Sequence, residues 1–126
     1  MSVAYVDTSA LVAVAFNERG AAALARRLDA CSRLLSSNLL EAELRAAFSR
    51  EGNRFEPRLV SSIEWVLPDR PLTHEFERVL QVGYLRGADL WHIATALYLA
   101  REPSGISFVT LDGRQRTVAA ALGFQI

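Results

Sequence analysis

The chain has 126 residues and no net formal charge, and 51% of its residues are hydrophobic. That is enough apolar material for one packed domain and too much for a disordered chain. No apolar run approaches the ~18 residues of a membrane span, and zero net charge gives no global basic field to announce a nucleic-acid partner. The single cysteine, Cys31, excludes an internal disulfide and a cysteine-cluster zinc site. The first residues lack a basic region followed by a long apolar run, so no signal peptide is expected and the cytoplasm is the default location. Lysine is absent and all 14 basic residues are arginine. This excludes P-loop and Schiff-base chemistry and leaves arginine forks to bind any phosphate.

In chain order, "SVAYVD" (2–7) is a β-branched run ending in an acid, and "TSALVAVAF" turns helical with Asp7 or Thr8 as N-cap. "RGAAALARRLDA" (19–30) is an amphipathic helix and "SRLLSS" (32–37) a strand, after which Ser36 or Ser37 can cap the helix in "NLLEAELRAAF". "EPRLVSSIEWV" (56–66) reads as a helix, leading to a strand around 66–72 broken by Pro68 and Pro71. "THEFERVLQVGYLRG" (73–87) reads as a helix capped by Thr73 and closed by Gly87. "ADLWHIATALYLARE" (88–102) is apolar nearly all round, which predicts burial. "ISFVTLD" (106–112) is a strand ending in an acid, "GRQRTVAAALGF" a helix stopped by Gly123, and "FQI" a potential edge strand. Strand and helix alternate without repeat or linker. The pattern predicts a single domain over 1–126, an α/β three-layer sandwich with a mostly parallel central sheet flanked by helices.

Four acids stand out. Two strands end alike, in Asp7 and Asp112, and a parallel sheet gathers such residues at its carboxyl edge, where α/β proteins bind ligands. Glu43 has Leu39, Leu40, Ala46 and Ala47 as its helical neighbours, all apolar, whereas Glu41 has Ser37, Asn38, Leu44 and Arg45. Glu41 is therefore an ordinary surface charge, while Glu43 needs a cation, a strong hydrogen-bond partner or a raised pKa. Asp89 opens the most apolar helix. Each aspartate taken singly is also explained as a helix cap or first-turn charge. Together, with no lysine to neutralise them, they suggest a divalent cation, and a carboxylate set selects hard ions such as Mg²⁺ or Mn²⁺. Two such ions ~3.5–4 Å apart can clamp the oxygens of a phosphodiester displacement.

"YVDTSALV", "SSNLLEAELRAAFSR", "LRGADLWHIATAL" and "FVTLDGRQRTVAAALGF" resemble, in order and spacing, the four acidic motifs of PIN-domain ribonucleases, and are most similar to the VapC toxins of bacterial toxin–antitoxin pairs. The resemblance covers essentially the whole chain. It implies a metal-binding and catalytic set of Asp7, Glu43, Asp89 and Asp112, with Thr8, Ser9 and Thr110 as supporting groups. It further implies Mg²⁺ or Mn²⁺ dependence and endonucleolytic hydrolysis of RNA by a metal-activated water. The implied partners are an RNA substrate, a VapB-type antitoxin over the acidic site and a second copy of the chain in a homodimer, with no membrane. None of the four acids departs from the pattern.

A neutral nuclease must concentrate positive charge locally. Arg114 and Arg116 after Asp112, Arg86 before Asp89, and Arg45 and Arg50 beyond Glu43 are the candidates for RNA binding. His92 is read as a positioning group, because the family pattern tolerates other residues there, and Trp65 and Trp91 as packing residues more than base-stacking ones. The competing reading is a catalytically silent PIN-fold module that binds RNA or protein. A phosphotransfer receiver needs a late lysine, which is absent. A haloacid-dehalogenase-type phosphatase needs an aspartate at position 9, where Ser9 stands.

Overall fold

A computed structural model of the chain describes residues 2–126. The β-branched and leucine runs form four strands, β1 (Val3–Val6), β2 (Arg33–Ser37), β3 (Ile63–Val66) and β4 (Ser107–Val109). They pair in the order β3-β2-β1-β4, every pair parallel. Six helices connect them: α1 (Thr8–Ala15), α2 (Ala21–Asp29), α3 (Leu39–Arg50), α4 (Thr73–Val82), α5 (Gly87–Leu99) and α6 (Gly113–Leu122). The chain moves outward from β1 to β3, then returns across the sheet to β4. Parallel crossovers keep one hand, so the outward connections and the return must use opposite faces.

The packing follows this rule. Side chains alternate across the pleat, so β1 sends Tyr5 to one face and Ala4 and Val6 to the other. Tyr5, Leu35, Val66 and Phe108 meet Val79 of α4, Ile93 and Leu97 of α5, and Val118 and Leu122 of α6. Ala4, Val6, Ile63 and Val109 meet Leu11 of α1, Leu28 of α2, and Leu40 and Leu44 of α3. The result is the expected three-layer α/β sandwich, with its sheet wholly parallel. No helix among the described residues is long and apolar enough to cross a membrane.

Three local expectations are corrected. The segment 56–66 is not a helix: a 3₁₀ turn at Pro57–Val60 gives way to β3, which begins before the anticipated 66–72. Ile63 and Val66 are more useful to the sheet than to a helix, since both become buried there. The outer backbone groups of β2 gain a partner, and Arg33 forks onto Glu64 across the pair at 2.7 and 3.0 Å. Tertiary pairing outweighs the helical spacing.

Second, 73–87 is not one helix. It starts after Leu72 as the N-cap, with Thr73 already its first turn, and α4 ends at Val82. Residues 83–86 then run extended so that Leu85, 3% exposed, reaches the core, and Gly87 opens α5 instead of closing α4. At Gly83 a Cβ would lie 3.0 Å from Val118 Cγ2, so any side chain there would require Val118 of α6 to give way by a few tenths of an ångström. Third, "FQI" adds no full strand. Gln125 alone bridges to Ser107, in parallel. Gly123 does stop α6, at φ 104°, a left-handed conformation natural to glycine.

Ile93 is fully buried in one core and Leu67 is 72% exposed. In urea denaturation, Ile93→Ala should cost about 2–5 kcal/mol, whereas Leu67→Ala should leave the midpoint nearly unchanged. Equal losses would contradict the layer assignment.

Candidate active site

In a sheet ordered 3-2-1-4, connections leave β1 and enter β4 on opposite sides, which opens a crevice beyond the carboxyl ends of these two strands. Asp7 directly follows β1, and its backbone N–H donates to Val109 at the end of β4 (3.1 Å). The residue is 2% exposed. Oδ1 accepts from Ser9 Oγ (2.8 Å) and, as the N-cap of α1, from the Ala10 N–H (3.2 Å), while Oδ2 accepts from Thr110 Oγ1 (2.6 Å). Burial pushes the Asp7 pKa up, and these three hydrogen bonds oppose the shift without cancelling it.

Thr110 also receives the Asp112 N–H (3.0 Å), and Ser9 Oγ receives the Leu111 N–H (3.0 Å). The loop after β4 is thereby fastened to the Asp7 carboxylate. Asp112 caps α6, its Oδ1 accepting from the Gln115 N–H at 2.8 Å. Asp89 lies in the first turn of α5, half-buried. Burial raises its pKa first, and the charges of Asp112 and Asp7 raise it further. Asp7 and Asp112 thus both act on Asp89 as like charges. Asp89 and Asp112 line one depression of about 280 Å³ with Tyr84, Arg86 and Arg114.

Glu43 stands apart from the three. From α3 its Oε1 accepts from Thr8 Oγ1 (2.6 Å) and lies 3.2 Å from His92 Nε2. The His92 bond, then the Thr8 bond, hold its pKa below the usual carboxylate range against burial. Here is the partner that the apolar helical neighbours demanded. Glu41, as expected, pairs with Arg45 at 2.8 Å.

His92 is 2% exposed, with Nδ1 2.8 Å from the Tyr5 hydroxyl. Tyr5 already accepts the Ser37 N–H (3.0 Å), and burial lifts its pKa well above the ordinary phenol value, so it keeps its proton and donates to Nδ1. That arrangement places the imidazole proton on Nε2, facing Glu43. A chain of hydrogen bonds thus runs from the core of the sheet to the acid on α3. His92 is a positioning group.

Of the supporting residues, Ser9 and Thr110 serve Asp7, while Thr8 serves Glu43. Of the arginines, Arg86 and Arg114 border the acidic depression. Arg116 donates to the Thr110 carbonyl (3.0 Å), and Arg45 lies over the Phe55 ring, 4.0 Å from its centroid. Arg50 pairs with Glu51 at 3.4 Å. Trp91 donates to Ser37 Oγ (2.7 Å) beside Phe76, and Trp65 packs within the sheet layer. Ser37, not Ser36, receives the Leu39 N–H at the start of α3 (3.1 Å). Ser36 donates to the Val6 carbonyl instead.

Gln115 was not anticipated. It is fully buried, its Nε2 donates to the Asp89 carbonyl (3.2 Å), and its Oε1 is 3.1 Å from Thr110 Oγ1. It links α5, α6 and the loop after β4. Its signal was in the sequence: Asp-x-x-Gln at 112–115 is a capping-box spacing.

Among the described residues, no three His, Cys, Asp or Glu side chains converge into a ready-made metal cage. The oxygen-only donors and the mutual repulsion at Asp89 nevertheless fit a hard divalent cation. Mg²⁺ in particular is commonly held by one or two carboxylates, with water and substrate phosphate completing its shell.

The raised pKa of Asp7 fixes the sign of a stability effect. Its ionised form is disfavoured by folding, so the cost is full above the folded pKa and vanishes below the unfolded one. Asparagine removes that charge and can be accommodated. Its Oδ1 keeps Ser9 and Ala10, and Nδ2 donates to Thr110, whose proton turns to Gln115 Oε1. In thermal melts of metal-free protein, Asp7→Asn should raise Tm at neutral pH, with the gain shrinking as pH falls toward 4. A lower Tm at neutral pH would contradict this reading.

The PIN-domain family model matches residues 4–121. No curated protein and no solved structure matches the chain significantly. PIN domains are typically nucleases and generally use divalent metal ions. With the match spanning nearly the whole chain and all four acidic motifs, the protein belongs to the PIN-domain family.

Proposed function

We propose that this PIN domain is a metal-dependent endoribonuclease, the toxin of a VapBC-type toxin–antitoxin pair. The observation that carries the nuclease reading is geometric. Asp89 and Asp112 line one depression at the carboxyl edge of the sheet, where Asp7 ends β1, and among the described residues no guanidinium is paired with any of the three. The toxin assignment rests on the similarity of the four motifs to VapC proteins. Asp7, Asp89 and Asp112 would hold Mg²⁺ or Mn²⁺, with Glu43 completing the acid set. Such a cation supplies the positive charge that lets a phosphodiester approach the carboxylates and makes a water nucleophilic enough to attack it.

The chain's own residues do the rest. Ser9, Thr110 and the Ala10 N–H fix the Asp7 carboxylate, so it does not swing during the displacement. Thr8 and His92 hold Glu43 ionised as an acceptor. Arg86 and Arg114 border the same depression as Asp89 and Asp112, where their forks can receive the phosphates flanking the scissile bond. With zero net charge, this local pair is a main source of electrostatic RNA affinity, so the logarithm of the binding constant should fall with the logarithm of salt with a slope of about −1.4.

The partners follow from the same reading. A VapB-type antitoxin would cover the acidic depression with a basic side chain, and Leu67, Leu80, Val82 and Leu99, all exposed, offer apolar surface for it and for a second copy of the chain. The toxin would act in the cytoplasm.

The test is 5′-end mapping of total RNA incubated with purified protein, with Mg²⁺, Mn²⁺ or EDTA. Discrete new ends should require metal, and Asp7→Asn should reduce them by about 100-fold or more, the loss of several kcal/mol of charge stabilisation. Ends that persist in Asp7→Asn at wild-type yield, or that form in EDTA, would overturn the proposal.

A further inference from the structure

Tyr84 has no role in the fold that explains its position. It is 65% exposed in the extended segment between α4 and α5. Both neighbours are fixed: Gly83 is pressed against Val118, and Leu85 is buried in the core. The backbone is therefore anchored on either side while the ring is left outside. It lines the depression that holds Asp89 and Asp112, and it also lines an adjoining groove of about 610 Å³ with Val82, Gly83, Thr117 and Val118. Arg114 borders both spaces, and its guanidinium carbon lies 5.8 Å from the Tyr84 ring centroid.

The order of these spaces matches the order of groups in a nucleotide chain. A small, strongly polar depression with two arginines suits a phosphate, and the larger, more apolar groove beside it suits a base. An aromatic ring and an arginine form the wall between them. Resting on the nuclease reading above, we propose that Tyr84 is a base-stacking platform of the RNA site, holding the nucleobase next to the phosphate bound at Arg86 and Arg114. Stacking requires an unpaired base, so the site takes single-stranded RNA in preference to duplex. A ring stacked this way recognises any base by its face, so Tyr84 contributes affinity and register and leaves sequence choice to other residues.

The test uses fluorescence anisotropy with a short fluorescein-labelled oligoadenylate and an abasic oligomer of equal length and charge, with Ca²⁺ present to limit cleavage. Tyr84→Ala should weaken oligoadenylate binding by about 10-fold, leave abasic binding unchanged and leave the salt dependence intact. Tyr84→Trp should restore the affinity. Arg114→Ala should weaken both probes and reduce the salt slope by about 0.7. The exposure of Tyr84 predicts wild-type melting for its variants, which is checked alongside. Equal oligoadenylate binding by wild type and Tyr84→Ala, or an equal loss on the abasic probe, overturns the stacking role while sparing the nuclease reading. If the wild type binds neither probe, the stacking role falls, while the nuclease reading stands or falls on the 5′-end mapping alone.

Discussion

A charged carboxylate buried at the end of the central strand is the constraint on which this structure turns. Asp7 is at once the residue that ends β1, the N-cap that starts α1, and the acceptor that draws in the loop after β4. Each role alone would be served by a neutral side chain. Asparagine caps a helix as well as aspartate does, and serine or threonine would be less costly to bury. Keeping a carboxylate there raises its pKa and works against folding, a cost typical of sites where function sets the residue.

The rest of the site eases this cost without cancelling it. Arginine is plentiful, yet no guanidinium forms a salt bridge with Asp7, Asp89 or Asp112 among the described residues. The arginines there border the depression, while Glu41, Glu64 and Glu75 take arginine partners on the surface. Had an arginine paired with Asp89, the local repulsion would vanish and so would the reason to bind a cation. Glu43 is treated differently, held by a histidine and a threonine that are themselves anchored to the sheet through Tyr5 and α1. Glu43 is thus held with its pKa lowered, while Asp7 and Asp89 are held with theirs raised.

The sequence made the architecture and the acids legible because both obey local rules. Asp7 directly follows β1 as expected, whereas the expected strand 106–112 ends at Val109 and Asp112 caps α6 three residues on. Glu43 declared itself by its apolar helical neighbours. What it hid was set by tertiary contacts. Residues 56–66 carry a helical spacing but complete the sheet, because β2 would otherwise leave its outer edge unpaired. The break at Gly83 depended on the approach of α6, some thirty-five residues away, which no local window reveals. The Tyr5–His92–Glu43 chain joins three elements distant in sequence, so only the fold could assemble it. Gln115 has the spacing of a capping box but does not close one: the Asp112 N–H goes to Thr110, and Gln115 reaches the Asp89 carbonyl, a contact no local window reveals.

At the centre stands the proposal that Asp89 and Asp112, with Asp7 beside them, take up a divalent cation whose shell water and substrate phosphate complete. Anomalous diffraction at the manganese edge, from crystals of the protein grown with Mn²⁺, tests it most directly. The account expects an anomalous peak among these three carboxylates, lost in crystals of Asp89→Asn. A peak elsewhere on the surface with these carboxylates bare, or none at saturating Mn²⁺, would contradict it.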